Sequence, residues 1–424
     1  MQVRRVFGRS VPVPLLAALI VVLAALAAWG FAEAFRAPPV RRAIVVAPTP
    51  GPRPDVGARE VGRWIDAGLP ALTARRAAAW RTALPARGVA ARRALGDLYA
   101  HLAPIPWSGL HAVVSAISGQ PATFDVKLEG RPGGAGPPQR IVAERLLVVE
   151  RSGGRLVATG DQSPAGIRHE YLMAFHTPHA LVADGAVVLF DESWRPLAEE
   201  LARDMPQARA DVAARLGVTG DRPIVVMLYS TATEITRYLG QSKVLERERF
   251  FARLPTTTSS KPWSPTDVGV LASALAPAGS WTEHMLAHEV THTLTWRWFF
   301  NSPHAPPLLL EGMATAVEGD RSYWPLHIEV AAGNRTMPLL ATFARPDLWT
   351  GVRMARVTLA YLEGGALVKY ILAHWGEATL KRFSVDVAGG TLAPPAIKQT
   401  VRADLGVSWS SFYAGWKAYV MTLQ

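Results

Sequence analysis

Residues 280–319 read SWTEHMLAHEVTHTLTWRWFFNSPHAPPLLLEGMATAVEG. Within them stands His288-Glu289-Val290-Thr291-His292, an H-E-x-x-H string. Residues four apart share one face of a helix, so His288 and His292 can aim two imidazoles at one metal ion. Glu289 lies beside them, where a carboxylate can take a proton from a water on that ion.

The flanking residues predict two helices. Ser280 followed by Glu283 is a capping-box signature, and the apolar run continues to Phe300 before Asn301-Ser302-Pro303 stops it. Pro306-Pro307 suits the first turn of a second helix, LLLEGMA, which Gly319 closes. Glu311 in that helix is nineteen residues after His292. In an antiparallel arrangement it reaches the metal as a third, oxygen ligand. Glu318, seven residues further on, can face the same way, either behind the ligands or in place of Glu311. His304 in the connecting loop is another ligand alternative. His284 shares the face of His288, but a ligand pair at 284 and 288 would put Met285 where the base should stand.

The same residues exclude two relatives of this pattern. A metzincin needs Gly and His where Thr295 and Trp298 stand, and a thermolysin-like second helix carries Asp where Thr315 stands. What remains resembles the broader gluzincin class, and specifically the peptidase-MA-like bacterial metallopeptidases, over residues 220–424. HEVTH and LLLEGMA carry the resemblance. A further segment, Tyr361-Leu362-Glu363-Gly364-Gly365-Ala366, is similar to a tyrosine-and-small-residue helix of that group. The resemblance implies peptide-bond hydrolysis at one Zn²⁺ per chain, held by His288, His292 and Glu311, with Glu289 as general base. It also points to Tyr361 as the donor to the oxyanion, with Tyr323, His327 and His374 as lesser candidates and a packing role for Tyr361 as the alternative. A different class of reading is a binding or scaffold protein on the same fold with a vestigial metal.

Composition bounds the rest. The chain has 424 residues, 49% of them hydrophobic, and no cysteine, so disulfides and thiolate metal sites are excluded. The net charge of +11 is unevenly spread: residues 1–100 hold fifteen Arg, no Lys and five acids, which is +10 and leaves about +1 for the remainder. A nucleic-acid partner would need a basic face on the folded part, so none is expected.

Residues 11–32, VPVPLLAALIVVLAALAAWGFA, carry no charge and are long enough to span a bilayer as a helix. They exceed the usual apolar core of a cleaved signal peptide, although Ala32-Glu33-Ala34 resembles a cleavage site. The expected organisation is a cytoplasmic tail over 1–10, a transmembrane signal-anchor over 11–35, a proline-rich linker over 36–57, a small α+β domain over 58–165, and a mainly helical metallopeptidase domain with a small sheet over 166–424. The fold class is therefore α+β, with the catalytic part outside the cytoplasm and a peptide or protein as substrate.

Within the small domain the pattern is helical from 58 to 118, with Pro70, Pro85 and Pro104 as breaks. Strands follow over 122–128, 141–150 and 155–159, an order analogous to the NTF2-like cradle. Downstream, 180–190 predicts a strand pair turning at Asp184-Gly185. A helix over 193–216 breaks near Pro206, 222–229 is a buried strand, and 231–239 is helical. A strand at 268–274 leads towards the metal helix and is assigned as the edge that takes extended substrate. His169, His176 and His179 lack a partner to complete a second metal site. After a loose stretch at 323–351, helices cover 357–375 and 409–423.

Overall fold

The structure is a computed structural model. It describes residues 56–120, 122–134, 141–163, 178–220, 222–231, 234, 250–252, 267–272, 281–299, 306–319, 322–333, 343 and 354–423. The predicted anchor over 11–35 lies outside the described residues, as do most of the linker, the helix expected after Thr231, Ser280 of the capping box, and His169, His176 and His304. Among the described residues no helix is long and apolar enough to cross a membrane.

The fold is α+β. It opens with helices α1 (Ala58–Thr73), α2 (Ala77–Ala83) and α3 (Val89–Leu102). They pack on an antiparallel meander of β1 (Trp107–Ala116), β2 (Thr123–Pro132), β3 (Ile141–Ser152) and β4 (Arg155–Asp161), paired in that order. β1 replaces the helix expected up to residue 118. Leu110, Ala112 and Val114 alternate along it and pack against the core, a period of two that suits a half-buried strand. Pro70 does not end its helix; it occupies the last turn of α1.

A second sheet has the order β5-β6-β7-β9-β8, from β5 (Pro178–Ala183), β6 (Ala186–Asp191), β7 (Ile224–Tyr229), β8 (Phe250–Ala252) and β9 (Asp267–Leu271). The β6–β7 and β7–β9 pairs are parallel and the outer pairs antiparallel. Helix α4 (Arg195–Leu216) runs unbroken through Pro206, because that proline is exposed and the carbonyl it leaves unbonded can meet water.

Alternation along the strands divides this sheet between two cores. Val188, Phe190, Val226, Leu228, Val268 and Val270 face α4 and the helices that follow. Val187, Leu189, Val225, Met227 and Tyr229 face the core built by the first module. Strands buried on both faces read as continuous apolar runs, which is the pattern of Ile224–Tyr229. Gly133 touches the same face: a side-chain carbon there would come within 2.7 Å of Val187.

The remaining chain is helical: α5 (Trp281–Thr295), α6 (Pro307–Val317), α7 (Trp324–Ala331), α8 (Met354–Gly389), α9 (Pro394–Leu405) and α10 (Trp409–Val420). α7 occupies part of the stretch expected to be loose, with Pro325 in its first turn. α8 is interrupted at Gly376 (φ 77°, ψ 178°), a conformation that glycine adopts without strain. The strand assigned as the substrate edge is interior, since β8 pairs with Val268, Gly269 and Val270 of β9 and itself forms the rim.

Candidate metal centre

α5 carries both histidines of the motif. Its C-terminal part holds three threonines, β-branched residues that favour strands, but Thr291, Thr293 and Thr295 are buried and turn their hydroxyls back onto carbonyls of the same helix at 2.8 Å. α6 is apolar nearly all round; Leu308, Leu309, Leu310 and Gly312 to Val317 are buried. Glu311 is the polar interruption, and its carboxylate faces α5.

α6 crosses α8 with backbone in contact. A carbon added to Gly312 would stand 2.6 Å from the carbonyl oxygen of Gly364, and one added to Gly364 would stand 2.6 Å from that of Leu308. Only glycine permits this approach. One residue before Gly312 is Glu311, and one turn before Gly364 is Tyr361. The crossing therefore brings both to the imidazoles, and the Tyr361 ring centroid lies 6.0 Å from that of His288.

Three donor atoms form a nearly equilateral triangle. Nε2 of His288 lies 3.1 Å from Nε2 of His292 and 3.2 Å from Oε2 of Glu311, and the third side, His292 Nε2 to Glu311 Oε2, is 3.3 Å. An ion bound tetrahedrally at about 2.0–2.1 Å, as zinc is by imidazole and carboxylate, holds its donors about 3.3 Å apart. These are the three residues among the described ones whose donor atoms converge closely enough to hold a metal. The donor set, two imidazoles and one carboxylate with no thiolate, fits zinc.

Glu289 is buried immediately beside the triangle. Glu318, left open between two roles by its spacing, lies behind it: its Oε1 is 2.6 Å from Nδ1 of His288, on the far side of the ring from the metal-facing nitrogen. His288 and Glu318 are 5% and 4% exposed, so this contact is shielded from water. Burial opposes a charge on His288, but the carboxylates of Glu311, Glu318 and Glu289 outweigh it and push its pKa up to about 10 in the metal-free chain. Burial likewise opposes the Glu311 carboxylate, yet the two imidazoles hold it well below the usual carboxylate range.

Other sequence candidates fall elsewhere. His284 is exposed and lies against Gly319. His374 sits among Tyr370, Trp375 and Tyr419, its Nδ1 3.0 Å from the Tyr370 carbonyl. Tyr323 is buried under the Lys369 ammonium, and His327 packs at Trp324. His179 pairs with Glu192 at 3.5 Å, on the second sheet. Sequence spacing did not single out Arg215, whose Nη1 donates to the carbonyls of Val317 (2.9 Å) and Ala316 (3.3 Å) at the end of α6. No short-range pattern links residues a hundred apart.

No family model matches the chain, and no curated protein matches it. Among solved structures it is similar to a two-domain M1 zinc metallopeptidase mutant bound to L-arginine, at 13% identity and a TM-score of 0.31, covering 75% of this chain and 61% of that one. It is also similar to an M1 zinc metallopeptidase mutant from Deinococcus radiodurans, at 13% identity and a TM-score of 0.30, with the same coverage. The chain thus spans under two thirds of the length of these structures.

Proposed function

We propose that this chain is a zinc-dependent peptidase, tethered by its N-terminal apolar segment with the catalytic part outside the cytoplasm. The observation that carries the reading is the triangle of His288, His292 and Glu311 with Glu289 beside it. Three protein ligands with a fourth position left for water are what a catalytic zinc needs, whereas a structural zinc is closed by four. The uncharged run at 11–32 supports the tether.

When bound, zinc supplies a Lewis acid and a water of lowered pKa. Glu318 holds the proton on Nδ1 of His288, which leaves the Nε2 lone pair for the ligand position. Glu289 accepts a proton from the attacking water and delivers it to the amine as the peptide C–N bond breaks. Tyr361, beside His288, donates its phenolic hydrogen to the oxygen that becomes negative on the tetrahedral carbon. The short antiparallel rim strand β8 offers a backbone edge along which an extended peptide can add as a further strand.

The test is hydrolysis of a mixed peptide library by residues 37–424, compared with Glu289→Gln and with chelator-treated protein. Cleavage lost in both supports the reading. Zinc bound without cleavage of any peptide points instead to the scaffold role.

A further inference from the structure

We infer that Arg215 is a positioning residue for the metal centre, acting through the end of α6; this rests on the metal-binding reading above. α6 holds Glu311 in its second turn, and Glu318 follows its last residue as the C-cap. The last carbonyls of any helix have no partner within it. In α6 those of Ala316 and Val317 belong to buried residues, so water serves them poorly. Arg215, in the last turn of α4, supplies both bonds from one nitrogen, at 3.3 and 2.9 Å.

The arginine does more than close a helix. Gly319 turns away with φ 98°, and a side-chain carbon there would stand 3.4 Å from the His284 ring and 3.8 Å from the Arg215 guanidinium. Glu318 is thereby fixed between two constraints. Its own N–H bonds to Ala314, and the two carbonyls just before it are held by Arg215. From that position its carboxylate meets Nδ1 of His288 at 2.6 Å. A cation at the C-terminal end of a helix also matches the helix dipole. The line of contact is Arg215, the α6 terminus, Glu318, His288.

Arg209 supplies an internal control. It lies on the same helix and makes bonds of the same kind, to the carbonyls of Gly185, Arg222 and Gly220, which are neither ligands nor bonded to one. The experiment is zinc titration of metal-free full-length protein carrying Arg215→Met, Arg215→Lys, Arg209→Met, Glu318→Gln and the Arg215→Met/Glu318→Gln pair, with Co²⁺ absorption as a second readout. Loss of a group that orients a ligand's partner lowers metal affinity by about tenfold, the low end of the outer-shell range. Arg215→Met is expected to show that loss and an altered Co²⁺ spectrum. Arg215→Lys, which keeps one cationic nitrogen, should recover part of it and covers the case in which the methionine variant does not fold. Arg209→Met should leave affinity within about twofold. In the Glu318→Gln background, Arg215→Met should weaken binding no further, because both substitutions act on one line of contact. Equal losses from Arg215→Met and Arg209→Met, or full additivity with Glu318→Gln, would overturn the inference while leaving the metal site standing. Wild-type protein that binds no zinc overturns both.

Discussion

Glu318 Oε1 stands 2.6 Å from Nδ1 of His288, behind the ring whose other nitrogen faces His292 and Glu311. A carboxylate at this distance favours the proton on Nδ1, which leaves the lone pair on Nε2. Replacing Glu318 with Gln should lower zinc affinity about 10- to 100-fold with the fold intact, as outer-shell substitutions do. Competition with a chromophoric chelator measures it. An unchanged affinity would show that the contact does not tune the site.

The contact between Gly312 and Gly364 leads to a packing prediction. A methyl at 312 would meet the Gly364 carbonyl at 2.6 Å, and both partners are backbone, so neither can swing aside. Gly312→Ala should cost about 1–3 kcal/mol or more by overpacking. It should also weaken zinc binding, because Glu311 is the preceding residue. Thermal unfolding with and without zinc separates the two effects.

The proton chemistry of the metal-free chain has a definite sign. His288 is raised from 6.5 to about 10, so the stability it contributes is fully present below pH 6.5 and is lost as pH rises towards 10. Glu311 is lowered from 4.5, so its contribution is present above pH 4.5 and is lost as pH falls. Metal-free protein should therefore be most stable between these limits. Zinc-loaded protein should have its optimum displaced upward, since binding requires the imidazoles neutral. Denaturant midpoints across pH 4 to 10 test this on the order of one pH unit; coincident profiles for the two forms would refute the coupling.

Two substitutions separate the catalytic roles from metal binding. Glu289→Gln should reduce peptide hydrolysis by at least about 10²–10⁴ while zinc content stays at that of the wild type. Tyr361→Phe should lower kcat about 10²–10³, the usual effect of losing one oxyanion donor, and leave zinc content unchanged. If Tyr361→Phe alters stability but not kcat, the tyrosine is a packing residue.

The cluster of His288, His292 and Glu311 was legible in sequence because its parts are local. His288 and His292 are one helical turn apart, and Pro306-Pro307 marks the start of the helix that carries Glu311. What spacing could not decide was direction. Glu318 shares the helix with Glu311, yet the helix end brings it behind His288 and not to the donor triangle. β1 was hidden because its alternation is interrupted by a register shift between Ser108 and His111 and its residues are only half buried. The rim position of β8 was equally hidden: strand order is a tertiary fact, and three residues give no periodic signal. Arg215 was unreadable for the same reason, since its partners lie about a hundred residues away.

Metal stoichiometry of purified protein beside His292→Ala decides whether the three donors hold zinc. One zinc per wild-type chain is expected, bound through nitrogen and oxygen donors by X-ray absorption, with that zinc lost in the variant. A wild-type chain that takes up no zinc when it is supplied in excess would contradict it.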